Sequence, residues 1–228
     1  KRETETQRRI YSGLGVTLVA LLLVMLVSAF KRLGLYEEAY GFSRLRTYTH
    51  VFLIWIGLLL IVTIALEILR KERMFMFAAL LASFGFAMSL PILNVDAFIV
   101  NQNIQREINS QSKGQLTQGG RADLDAQYFL DLSDDAVPAL VKAYQTQSLP
   151  DPVREKIGAS LACINYERKL NDRDYTWQSF HFARLNADRG LASIKNELKD
   201  FVITDTDWPV IVTTPSGEDL SCSSYYYD

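Results

Sequence analysis

Residues 10–30, 51–69 and 74–93 are apolar runs, each about as long as the roughly 20 residues a membrane-spanning helix needs. At about 1.5 Å per residue such a helix crosses the roughly 30 Å hydrocarbon core of a bilayer. No water satisfies peptide groups there, so the backbone must bond to itself, as a helix does locally. The third run ends in Leu90-Pro91-Ile92-Leu93, and the chain then turns polar through Asn94, Asp96, Asn101, Gln102 and Asn103. The expected fold class is an all-α membrane protein: three transmembrane helices, then a small, mainly α-helical soluble domain with a short C-terminal β-hairpin. Residues 1–95 would form the transmembrane region, 96–120 a polar helix and linker, 121–200 the helical soluble domain, and 201–228 the hairpin and a tail.

The total charge of -2 conceals an asymmetry: residues 1–95 hold 11 Lys/Arg against 6 Asp/Glu, and residues 96–228 hold 13 against 20. An acidic soluble half lacks the basic stripe that a phosphate backbone requires, so no nucleic acid is expected as a partner. Around the spans, Lys1, Arg2, Arg8 and Arg9 share one side with Arg70, Lys71 and Arg73, while Lys31, Arg32, Arg44 and Arg46 fall on the other. The denser positive side is assigned to the cytoplasm, which puts the C-terminal domain outside.

Several local features have two readings. A basic leader before an apolar run suits a signal peptide, but the run is too long and Val27-Ser28-Ala29-Phe30 is a poor cleavage site, so a retained span is favoured. Between the first two spans, Leu33, Tyr36 and Tyr40 at helical spacing predict a short interfacial helix, or else a loop with an aromatic belt. Glu67 is close enough to the span end to pair with Lys71 at the i,i+4 spacing, which is a structural role rather than an intramembrane function. Ala78, Ala82, Gly85 and Ser89 form a small-residue stripe suited to close helix packing, within the chain or between copies.

In the soluble part, Ser133 is expected to cap a helix over residues 134–144 with Val137, Leu140, Val141 and Tyr144 on its apolar face. Asp151 and Pro152 open a second helix with Val153, Ile157, Leu161 and Ile164 inward. A third includes Trp177, Phe180 and Leu185 and resumes after Gly190 through Leu191, Ile194 and Leu198. A short helical-repeat stack and a small bundle both accommodate this order. Residues 201–203 and 210–213 are β-branched enough for a hairpin. The end, with Tyr225-Tyr226-Tyr227, reads as a mobile tail or a docking segment.

The sequence offers no catalytic, cofactor-binding or metal-binding signature. Cys163 and Cys222 have no Cys-x-x-Cys or Cys/His spacing; they are either unrelated thiols or, in an oxidising compartment, a disulfide. His181 between Phe180 and Phe182 reads as structural, and no nucleophile motif supports it. Asp123, Asp125, Asp131, Asp134 and Asp135 lack the ligand alternation of a calcium loop and read as a solvated acidic face. An enzyme is therefore not expected, and neither is a cofactor.

Tyr40-Gly41-Phe42-Ser43-Arg44-Leu45-Arg46, Asn94-Val95-Asp96-Ala97 with Asn103, Leu124-Asp125-Ala126-Gln127-Tyr128 and the run from Leu132 to Leu140 together resemble an uncharacterised family of bacterial polytopic membrane proteins, the domain-of-unknown-function 4153/4173 group. The resemblance extends to about Leu191. It implies a bacterial cell-membrane location and further spans upstream, so that the chain would be the C-terminal portion of such a protein; it brings no established activity. Arg44, Arg46, Asn94, Asp96 and Asn103 form the expected structural cluster at the membrane exit. There an arginine fork would bond Asp96 or the exit carbonyls, the alternative being lipid phosphates. The expected function is a structural or interaction protein whose partners are the bilayer and another membrane or envelope protein. The alternative is a transport or sensing component completed by upstream spans.

Overall fold

The computed structural model describes residues 5–112, 124–171, 181–206 and 208–222. The chain divides into two compact units, Lys1–Val95 and Asp96–Asp228.

In the first unit α1 spans Glu5–Tyr40, α2 Arg44–Ile68 and α3 Phe75–Leu93, and all three are long and apolar enough to cross a membrane. The separate interfacial helix or loop expected after Phe30 is absent, because α1 continues to Tyr40. Residues 31–40 carry good helix formers and no proline, so the helix stops only at Gly41. Gly41 takes φ 82 and its N–H donates to the Glu37 carbonyl at 2.9 Å, a left-handed cap that glycine adopts without strain. Tyr36 and Tyr40 are exposed and stack on each other at 6.1 Å, whereas Glu37 is buried.

α2 ends in two backbone bonds, Arg70 N–H to the Glu67 carbonyl and Lys71 N–H to the Leu66 carbonyl, with Arg70 left-handed at φ 58. Lys71 therefore lies beyond the helix, and the i,i+4 relation expected between it and Glu67 does not apply. A short 3₁₀ turn, Glu72–Met74, leads into α3. The stripe on α3 serves packing within the chain: a Cβ on Gly85 would fall 2.2 Å from the Trp55 ring, and the Trp55 indole N–H donates to Ser89 Oγ at 3.2 Å. Phe52 meets Phe86 edge-on at 5.8 Å in the same α2–α3 seam.

α4 (Val95–Ser112) belongs to the second unit from Asp96 onward, and the unit continues with 3₁₀ turns at Gln127–Asp131 and Asp134–Ala136, α5 (Val137–Tyr144), α6 (Asp151–Asn171), α7 (Phe182–Ser193), a 3₁₀ turn at Glu197–Asp200 and three short strands. The predicted apolar stripes are its core. Val137, Leu140, Val141, Val153, Ile157 and Leu161 are buried together with Phe129, Leu191 and Ile194. Gly190 does not interrupt α7; a Cβ there would lie 3.4 Å from Val141, an ordinary close approach. Trp177 and Phe180, residues 113–120 of the linker, Asp123 and Tyr225 to Tyr227 lie outside the described residues.

The expected hairpin is a three-stranded antiparallel sheet, β1 (Val202–Thr204), β2 (Ile211–Thr213) and β3 (Asp219–Ser221), in the order β1-β2-β3. Val212 is opposite Ile203 on one side and Leu220 on the other, and it is fully buried. Phe201, just before β1, places its ring on α6 at Gly158, where an added Cβ would come within 2.3 Å of it. Only glycine leaves room for that contact.

Candidate functional site

In the membrane unit, burial and ionisable chemistry coincide at the α1–α2 turn. Glu37, one turn before Gly41, is 4 % exposed, and His50 Nδ1 on α2 lies 2.9 Å from its Oε1. The Phe30 ring meets the imidazole edge-on at 4.5 Å. One turn before His50, Arg46 donates from Nη1 to the Gly41 carbonyl at 2.6 Å, and its guanidinium is 5.9 Å from the Tyr40 ring centre. Thr47, also buried, donates its hydroxyl to the Ser43 carbonyl at 3.0 Å. A carboxylate so poorly hydrated is stable only beside a donor, and His50 supplies one. Sequence reasoning missed both residues. The available signal was a histidine immediately before an apolar run and a carboxylate in the preceding connection, and ionisable groups in such settings are functional candidates by default.

A cleft of about 470 Å³ runs along α1 and α2, lined by Tyr11, Gly15, Val16, Val19, Thr63, Ile64 and Glu67. Its lining mixes Val16, Val19 and Ile64 with the polar side chains of Tyr11, Thr63 and Glu67.

The expected exit cluster distributes as follows. Arg44 is the first residue of α2 and half-buried; Arg46 is engaged at Gly41. Asn94 is exposed and ends α3 in a left-handed conformation at φ 42, its N–H donating to the Pro91 carbonyl at 3.3 Å. Asp96 and Asn103, in the second unit, are both buried on α4. Asp96 Oδ2 accepts from the Ser133 backbone N–H at 2.9 Å and from the Ser133 hydroxyl at 2.5 Å. Ser133 was expected to cap its own helix, and its side chain makes no capping bond there. A buried carboxylate gains more from a charge-assisted bond than a helix end gains from a neutral one, so Asp96 takes the hydroxyl.

Elsewhere in the second unit Arg168 of α6 forms ion pairs with Asp134 and, at 2.6 Å, with Asp188 of α7. His181 caps α7, accepting the Arg184 N–H on Nδ1 at 3.1 Å, with Nε2 3.7 Å from Asp134. Asp134 is thus tied to α6 rather than forming part of a solvated face. Asp125 accepts the Tyr128 N–H at 3.0 Å and Asp135 is exposed. Burial, then the neighbouring Asp131, raises the Glu167 carboxyl above its ordinary range. Cys163 on α6 and Cys222, just past β3, form a disulfide with their Cα atoms 5.2 Å apart. Among the described residues no three His, Cys, Asp or Glu side chains gather to hold a metal.

Three apolar spans with a helical domain attached define a multi-pass membrane protein with a folded extramembrane part. Residues 1–143 match the family described as Domain of unknown function (DUF4153), and the chain belongs to that family. No curated protein and no solved structure matches it.

Proposed function

We propose that the chain is a non-enzymatic anchor of a bacterial cell membrane that holds its C-terminal helical domain outside the cytoplasm and against another membrane or envelope protein. The Cys163–Cys222 disulfide carries this reading, because disulfides persist in oxidising compartments and are rare in the cytosol. The basic bias of the leader and of the α2–α3 turn supports the same orientation. The domain's own apolar core suits it for display, and the spans place few ionisable groups in the bilayer.

Orientation is tested with Ala192→Cys, at an exposed position on α7. A membrane-impermeant maleimide should label it in intact cells; labelling only after the membrane is broken would overturn the proposed orientation. A stoichiometric protein partner retained in mild detergent is the expected result for the anchoring role. A transport or sensing component is the second reading, favoured by the buried Glu37–His50 pair. Ligand-dependent stabilisation of the isolated protein would select it.

A further inference from the structure

We propose that the cleft between α1 and α2 binds a phospholipid with a primary amine in its headgroup, of the phosphatidylethanolamine class, with the ammonium at Glu67 and one acyl chain between the helices. The two helices are not equally close along their length. At Leu26 and Gly57 they touch, since a Cβ on Gly57 would lie 3.6 Å from the Leu26 side chain, whereas a Cβ on Gly15, nearer the start of α1, would meet no atom within 4 Å. The space left there is the cleft of about 470 Å³, within the roughly 300–1,000 Å³ usual for a small-molecule site. It follows α1 from Tyr11 to Val19, about 12 Å at the helical rise. A helix about 10 Å across does not fit into such a taper; an acyl chain does.

The walls change with depth. Val16, Val19 and Ile64 are half-buried and apolar, while Glu67 is the last residue but one of α2 and stands at the mouth with Tyr11, a residue type that settles at headgroup level. The polar atoms of the lining select the headgroup. Thr63 donates its hydroxyl to the Leu59 carbonyl at 2.7 Å, so toward a ligand it offers oxygen lone pairs, and a carboxylate such as Glu67 offers acceptors alone. A primary ammonium brings three donors to these acceptors. A quaternary ammonium brings none and is recognised instead by an enclosing set of aromatic rings, of which Tyr11 supplies a single one here. The lipid phosphate meets the exposed Arg70 and Lys71, just beyond the end of α2. Both charges of the zwitterion thus face their opposites.

The full chain is reconstituted in vesicles of equal parts phosphatidylethanolamine and phosphatidylcholine with identical acyl chains, then extracted in mild detergent, and its retained lipids are counted by native mass spectrometry. Phosphatidylethanolamine should be retained about fivefold over phosphatidylcholine, the factor that one interfacial ion pair supplies. Glu67→Gln, which keeps the shape and removes the charge, should bring that preference below about twofold. If this variant does not fold, Thr63→Val, which keeps the shape and removes an acceptor, should lower the preference in its place. Gly15→Leu fills the cleft and should reduce the retention of both lipids. Gly13→Leu, where an added Cβ also meets no atom within 4 Å but which does not line the cleft, should leave retention intact. Equal retention of the two lipids in the wild type, an undiminished preference in Glu67→Gln or Thr63→Val, or a Gly15→Leu variant that retains lipid like Gly13→Leu would each overturn the site. A Gly15→Leu variant altered only in its oligomeric state would assign the cleft to a second copy of the chain and overturn it as well.

Discussion

Replacing Asp96 by alanine removes the acceptor of two hydrogen bonds that tie the start of α4 to the turn before α5. Hydrogen bonds to a charged partner contribute about 1.5–3 kcal/mol each, so the gross loss is about 3–6 kcal/mol. Two effects reduce it. Ser133 is exposed, so water takes over both of its donors, and the cost of holding a carboxylate at 6 % exposure disappears with the carboxylate. A net destabilisation of about 2 kcal/mol is expected for Asp96→Ala. Ser133→Ala should cost about as much, because it leaves the buried carboxylate in place with one donor fewer.

The pair therefore belongs in a double-mutant cycle. If the two side chains act mainly on each other, Asp96→Ala with Ser133→Ala should cost little more than either alone, a coupling of about 1.5 kcal/mol. Native-state hydrogen exchange of the α5 and α6 core amides, measured on the full chain in detergent, isolates the opening of the second unit from that of the membrane helices. Additive single effects, with coupling below about 0.5 kcal/mol, would refute the account of why Ser133 leaves its own helix end uncapped.

Two further perturbations follow from packing and charge. Gly158→Ala puts a methyl group 2.3 Å from the Phe201 ring; thermal melts should show a loss of about 1–3 kcal/mol, partly relieved by Phe201→Leu. Glu167 has its carboxyl raised from 4.5 by burial and Asp131, so the folded state holds that proton more tightly than the unfolded chain. The resulting stability is fully present below the ordinary value and is lost as pH rises through the raised one. Glu167→Gln should consequently raise the melting temperature at neutral pH and lose that advantage in acid, and an equal effect at both pH values would contradict the sign.

What the sequence reveals about this chain follows the range over which each signal acts. The bilayer requirement acts on every residue of a span, so the three apolar helices are visible one residue type at a time. The stripes of α5 and α6 are visible for a similar reason: Val137, Leu140 and Val141, like Val153, Ile157 and Leu161, repeat at the helical period and all are buried. β3 has no such signal. Asp219-Leu220-Ser221 offers a single apolar residue, and its place is set by the Gly217 turn, with φ 90, and by pairing with β2. The residues of the α1–α2 turn are harder still to read. Tyr36 and Tyr40 suit headgroup level, where an exposed aromatic ring is stable, but nothing in the local pattern marks Glu37 as the buried residue beside them. Glu37 is drawn inward by a donor 13 residues away, and Ser133 is drawn from its helix end by a carboxylate 37 residues away. In both places a polar side chain sits where its local pattern disfavours it, because a buried charge demands a partner wherever in the chain that partner occurs.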